Sequence, residues 1–193
     1  NYSVIAGGAE NRATALYSTV GGGYNHIASD TGATIAGGNQ NWAQANYATV
    51  GGGSGNRATA DYGTVAGGNS NDASGQYSFA GGGKSNNASG QYGVALGGLT
   101  NQADGVYSTV INGTDNIASG DISTILGGTK NITAGNYTIV GGHGLNFGSN
   151  ADNSFGYHGY NVLSDSVYIN TSNIAYFGNV DMWLGNTRNT ASQ

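Results

Sequence analysis

Short apolar bursts alternate with polar ones along this chain, and the alternation returns at a fixed interval. Residues 17–31 read YSTVGGGYNHIASDT, residues 47–61 read YATVGGGSGNRATAD, and residues 62–76 read YGTVAGGNSNDASGQ. Ten copies of fifteen residues begin at 2, 17, 32, 47, 62, 77, 92, 107, 122 and 137, with no insertion. The fourth position is always aliphatic: Ile5, Val20, Ile35, Val50, Val65, Ala80, Ala95, Val110, Ile125 and Val140. The sixth is Gly except at Asn112, and the seventh is Gly except at His143. A strict period predicts a solenoid in which each repeat is one coil stacked on its predecessor. Fifteen residues are too few for a helix pair, and several glycines per copy oppose helix.

Each coil is expected to hold two short strands and two tight turns. Positions one to five (YGTVA) are aromatic, β-branched and small, and positions ten to fourteen (NDASG) are small and polar. Glycines at positions six, seven and often fourteen stand where turns call for positive φ. Strand alternation then turns positions two, four and six, with ten, twelve and fourteen, inward. Positions one, three and five face out, because a Tyr in nearly every coil cannot fit a flattened interior. The predicted fold is an all-β parallel β-roll solenoid of ten coils over residues 1–151. A small, non-repetitive, β-rich segment follows at 152–193, where VYIN, IAYFG and VDMWLG read as strands.

Two columns follow from that assignment. The tenth position carries Asn11, Asn41, Asn56, Asn71, Asn86, Asn101, Asn116, Asn131 and Asn146, with His26 as the exception. Stacked at an interstrand spacing of about 4.8 Å, these amides can bond their equivalents above and below, or each can simply permit a bend. The first position carries Tyr2, Tyr17, Tyr47, Tyr62, Tyr77, Tyr92, Tyr107 and Tyr137, with Gly32 and Ile122 as exceptions. This outward aromatic stripe is expected to be a subunit interface, or else a wall that stacks on sugar rings.

Composition narrows the classes. There are 37 glycines among 193 residues, no proline and no cysteine, which excludes collagen, while 13 Tyr with many Val, Ile and Thr oppose disorder. The formal net charge is -5 and the five basic residues are dispersed, so nucleic acid and anionic membrane are not expected partners. No apolar run is long enough to span a bilayer. The first residue already lies at the edge of the repeat, so the chain is expected to be a processed product or an excerpt.

The spacing small-x-V/I/A-x-G-G-x-x-N-x-A-x-G, as in SFAGGGKSNNASG at residues 78–90, resembles the head repeat of trimeric autotransporter adhesins. That repeat is a left-handed parallel β-roll with a unit one residue shorter, and phage-type tail fibres carry a similar one. The extra residue is expected near Gly8, Gly23, Gly38 and their equivalents. The resemblance covers residues 2–151. It implies a homotrimer displayed on a cell or virion surface. The family's paired aliphatic residues on the trimer-facing strand are mostly Thr and small residues here, so its contact geometry does not transfer.

No catalytic constellation emerges. The Asp ligands of calcium-binding rolls are missing, the histidines His26, His143 and His158 are scattered, and Gly83-Lys84-Ser85 lacks the rest of a phosphate loop. Thr19, Thr34, Thr49, Thr64, Thr109 and Thr124 suggest an ice-binding hydroxyl array, but Phe79, Val94 and Ile139 interrupt it. The chain is therefore expected to be a non-enzymatic segment of an extracellular fibre, without cofactor or metal. Its first expected partner is itself, as a homotrimer or an end-to-end filament; a host-surface protein or glycan comes second. Residues 152–193 are expected to cap the last coil or to join subunits.

Overall fold

The computed structural model of the chain describes residues 2–159 and 166–178. Their regular structure is entirely β, in two parallel sheets of twelve and eleven strands. The first sheet takes the third and fourth positions of successive coils, for example Thr64–Val65, Phe79–Ala80 and Val94–Ala95. The second takes the eleventh and twelfth, for example Arg57–Ala58, Asp72–Ala73 and Asn87–Ala88. Thr64 pairs with Phe79 and Asp72 with Asn87, so register advances by one repeat per coil. The chain is thus a parallel β-solenoid of about ten coils of about fifteen residues.

A third seam joins the coils as well. Single parallel bridges link the eighth positions, from Ala9 to Tyr24 and on through Asn39, Ser54, Asn69, Lys84, Leu99 and Thr114 to Thr129. The cross-section therefore has three hydrogen-bonded sides rather than two walls. The third was hidden because one bridging residue per coil is too short to show alternation.

The interior is thin and follows the expected faces except at the sixth position, which was expected inside: a Cβ on Gly67, Gly82 or Gly97 would meet nothing within 4 Å, and none of these three has positive φ. Val20, Ile35, Val50, Val65, Val110, Ile125 and Val140 are fully buried, as are the twelfth-position alanines Ala28, Ala43, Ala58, Ala73, Ala88, Ala103 and Ala118. Burying one Val or Ile contributes about 1.5–3 kcal/mol, so cohesion accumulates coil by coil.

The glycines divide by cause. At the seventh position Gly38, Gly53, Gly68, Gly83 and Gly98 all have φ between 76° and 101°. A Cβ on Gly83 would also overlap the Gly98 carbonyl oxygen. At the fourteenth position φ is not positive, contrary to expectation. There Gly75, Gly90, Gly105 and Gly120 are needed because the next coil's backbone lies against the Cα. The unexpected left-handed residues are the first-position Tyr, with φ of 56–61° from Tyr17 to Tyr137, and a polar ninth position such as Gln40, Ser70 and Lys130.

The tenth coil is shorter between its sheets. Ile125 pairs with Val140, but Gly127 pairs with Gly141 and Gly128 with Gly142, so Leu126 has no counterpart. Gly141 and Gly142 therefore fill the sixth and seventh places, and His143 falls at the eighth. Both sheets then run on past residue 151 through Phe155–His158, Val167–Ile169 and Ala175–Gly178. Residues VYIN and IAYFG thus contribute strands, while VDMWLG, Trp183 and Leu184 lie outside the described residues. Here the core thickens. Leu145 and Phe147 are fully buried beneath Gly156, where a Cβ would strike both side chains.

Candidate interaction surface

The Tyr column stands at a corner, not within a strand. From Tyr17 on, each of these Tyr lies in a tight turn as its third residue, as in the bond from Ser78 N–H to the Gly75 carbonyl, 3.0 Å, across Tyr77. Turns that need positive φ at that place normally use Gly or Asn. A bulky residue held left-handed costs about 1–3 kcal/mol. Two interactions offset the cost. The Tyr77 N–H donates to the Asp61 carbonyl one coil back, 2.9–3.0 Å being typical along the column. The rings also stack: Tyr47, Tyr62, Tyr77, Tyr92 and Tyr107 form a continuous pile with centroids 4.6–5.2 Å apart and planes within 11°. Each aromatic contact contributes about 0.5–1.5 kcal/mol beyond area.

Tyr2 and Tyr17 form a separate pair at 5.8 Å. Gly32 breaks the column, and the Tyr47 ring leans over its Cα, where a Cβ would clash. Ile122 makes the second break, before Tyr137. The rings of the Tyr47–Tyr107 pile remain 37–54% exposed, and Tyr2 and Tyr17 are 74% and 57% exposed. Inside the pile both faces of each ring are covered by neighbouring rings.

Beside this ridge lie two more outward columns of the same side. The third position is half-buried and holds Thr19, Thr34, Thr49, Thr64, Phe79, Val94, Thr109 and Thr124. The fifth holds Ala6, Gly21, Ala36, Gly51, Ala66 and Gly81, then Leu96, Ile111 and Leu126, which are 39–47% exposed. At the far end Tyr137, Ile139, Phe155 and Ala175 line one open depression of 530 Å³.

The Asn column is buried on the opposite side of the coil. Asn41, Asn56, Asn71, Asn86, Asn101, Asn116 and Asn131 are 0–1% exposed, while Asn11, in the first coil, is half-buried. Their pattern differs from amide-to-amide stacking. The Asn71 side-chain oxygen accepts the Asn86 backbone N–H, 2.9 Å, and its amide donates to Gly67 and Gly83 carbonyls at 2.8 and 3.1 Å. Direct amide contacts occur at the top, from Asn116 to Asn101 and from Asn131 to Asn116. Asn146 lies outside the column, because the shortened tenth coil moves it to an outward strand place opposite Ile132. Leu145 takes the tenth place, and its N–H donates to Asn131, 3.0 Å.

His26 substitutes within the column. Its Nδ1 accepts the Asn41 N–H at 3.0 Å, and its own N–H donates to Asn11 at 3.0 Å. The proton must then sit on Nε2, which is buried without a hydrogen-bond partner. Burial holds this imidazole below its usual pKa.

A second ladder went unseen in the sequence. At the fifteenth position Asp61 accepts the Asn46 N–H at 3.1 Å, Asp121 accepts that of Val106 at 2.9 Å, and Asn136 accepts that of Asp121 at 2.8 Å. Leu16, Thr31, Gln76, Gln91 and Val106 share the position, which hid the pattern. On the outer second sheet the Arg57 guanidinium lies 4.9 Å from the Trp42 ring centroid. The neighbouring Asp72 carboxyl is raised in pKa by burial, against the pull of Arg57. Among the described residues there is no cluster of three His, Cys, Asp or Glu able to hold a metal, and no helix long and apolar enough to cross a membrane.

The candidate surface is thus a ridge of stacked rings, a half-buried Thr-rich column and an Ala/Gly shelf, all on one side of the solenoid. No family model matches the sequence, and no curated protein matches it.

Proposed function

We propose that this chain is a rigid, non-enzymatic segment of an extracellular surface fibre. In this reading it acts mechanically and multivalently, as the resemblance to trimeric autotransporter heads and tail fibres implies, and associates with parallel copies of itself, three in number. The observation that carries the proposal is the run of near-identical coils bearing an exposed aromatic column, stacked without a break from Tyr47 to Tyr107. Parallel ladders and buried amides supply stiffness, and short turns leave few long loops for proteases. Repetition supplies avidity toward a surface that binds weakly at each coil.

The stacking geometry favours self-association over sugar binding. A sugar ring stacks on an aromatic face, and in Tyr62, Tyr77 and Tyr92 both faces are already taken by neighbouring rings, as is one face each of Tyr47 and Tyr107. Mass measurement of native particles, with negative-stain imaging, tests the proposal. Discrete rods of three chains are expected; monomers at micromolar concentration would overturn it.

A further inference from the structure

The walls of the solenoid differ in charge. None of the thirty residues at the first, third and fifth positions of the ten copies is charged. The charges among the described residues fall at other positions, as with Lys84 at the eighth, Lys130 at the ninth and Arg57 and Asp72 at the eleventh, with Asp61 and Asp121 at the fifteenth, in the turn that borders the ridge. Ten successive coils without one charge on three outward columns describe a wall kept from repelling its own copy.

The relief of that wall is self-complementary. In the first six coils the ridge is Tyr2, Tyr17, Tyr47, Tyr62 and Tyr77, with Gly32 as its gap, and the shelf four residues on is Ala or Gly throughout. When two copies face each other in parallel, rotation about the fibre axis sets the first-position column of one against the fifth-position column of the next. Rings then enter a shelf of small residues, level by level, at a common coil spacing. An antiparallel pair instead sets ring column on ring column and leaves the Ala/Gly shelves facing across a void. The wall is about 43 Å long and 13 Å wide at ordinary strand dimensions. Its flat footprint is about 560 Å², before the relief of the rings is added, against about 800 Å² of accessible surface per partner in a standard interface.

We propose that the Tyr ridge of one copy seats in the Ala/Gly shelf of a parallel second copy. This rests on the self-association reading above and names the surfaces that meet. From the seventh coil Leu96, Ile111 and Leu126 replace the shelf, so large residues meet large ones and the walls stand further apart there.

The chain has no cysteine, so pairing can be read by disulfide trapping. Single-cysteine variants Tyr62→Cys and Ala66→Cys are refolded separately and as a mixture, then oxidised. The expected result is a linked dimer in the mixture and little in either variant alone. Linking of Tyr62→Cys to itself would show antiparallel pairing and overturn the proposal. Independently, Ala36→Glu combined with Ala66→Glu is expected to give monomers with unchanged circular dichroism, while the eighth-position control Asn69→Glu keeps the wild-type mass. An oligomer that survives the shelf charges would overturn this inference alone; a monomeric wild type would overturn the self-association reading itself.

Discussion

The Asn56 backbone N–H donates to the side-chain oxygen of Asn41 at 2.9 Å, one full coil away. The same amide of Asn41 donates to Gly37 in its own coil and to Gly53 in the next, at 2.9 and 3.0 Å. One side chain therefore closes the bend of its own coil and fixes the register of the following one.

Removing such a group should be costly. Asn86→Ala leaves the Gly82 carbonyl and the Asn101 N–H without the partner they have now, while the Gly98 carbonyl keeps the Lys84 N–H. Each unsatisfied buried group costs about 1–3 kcal/mol, so a loss on the order of 2–4 kcal/mol is expected in urea unfolding. The exposed eighth-position Asn39→Ala should stay within about 0.5 kcal/mol of wild type. Equal effects would show that the column is a passive bend.

Adjacent glycines should separate sharply. Gly83→Ala places a Cβ against the Gly98 carbonyl at a φ of 76°, whereas a Cβ on Gly82 meets nothing within 4 Å. The first variant is expected to be strongly destabilised or insoluble, and the second to lose less than about 1 kcal/mol. Thermal melts of the pair check this. Comparable melts would contradict the close-approach account.

His26 should make stability pH-dependent in a defined direction. Its folded pKa is lowered from 6.5 by burial, so below about pH 6.5 the unfolded chain binds a proton that the folded coil refuses. Stability from this group is full above pH 6.5 and declines as pH falls toward the lowered folded value. Asp72 works oppositely, since its folded pKa is raised above 3.8 and its contribution falls as pH rises through that window. His26→Asn restores the column residue. It should raise the melting temperature and flatten the dependence between pH 7.5 and 5; an unchanged slope would assign the effect elsewhere.

The ring pile predicts a position-dependent cost. Tyr77 stacks on Tyr62 and on Tyr92, each at 5.0 Å. Tyr77→Ala keeps the left-handed backbone but loses both contacts, so about 1–3 kcal/mol of stability should disappear. Tyr137→Ala, beyond the Ile122 break, should lose less. Denaturant midpoints of the two variants decide the matter.

Much of this architecture was legible because the period displays it. Val65 and Ala73 recur every fifteen residues with small neighbours, and alternation placed both inside. Other features leave no such trace. Tyr is a poor marker of positive φ, so the corner under Tyr62 looked like the start of a strand. The ninth position accepts Gln40, Ser70 or Lys130, because what matters there is a backbone turn and not a side chain. Asn146 matched the column by counting, yet the dropped place opposite Leu126 moved Leu145 into it. Counting assumes constant coil length, and only the hydrogen bonds reveal where that length changes. The Tyr column was found as a stripe, but its stacking and its Ala/Gly neighbour became visible only once coils were aligned in space.

The eighth-position bridges add a mechanical consequence. Three strand seams, with the Tyr-corner and Asn-column bonds, tie neighbouring coils together, so end-to-end tension loads the bonds of one interface together before any coil opens. Once it yields, fifteen residues of chain pull out, releasing about 45–50 Å at full extension. A stretched rod would therefore lengthen in even steps, like links leaving a spool, with the molecule beyond each break still wound.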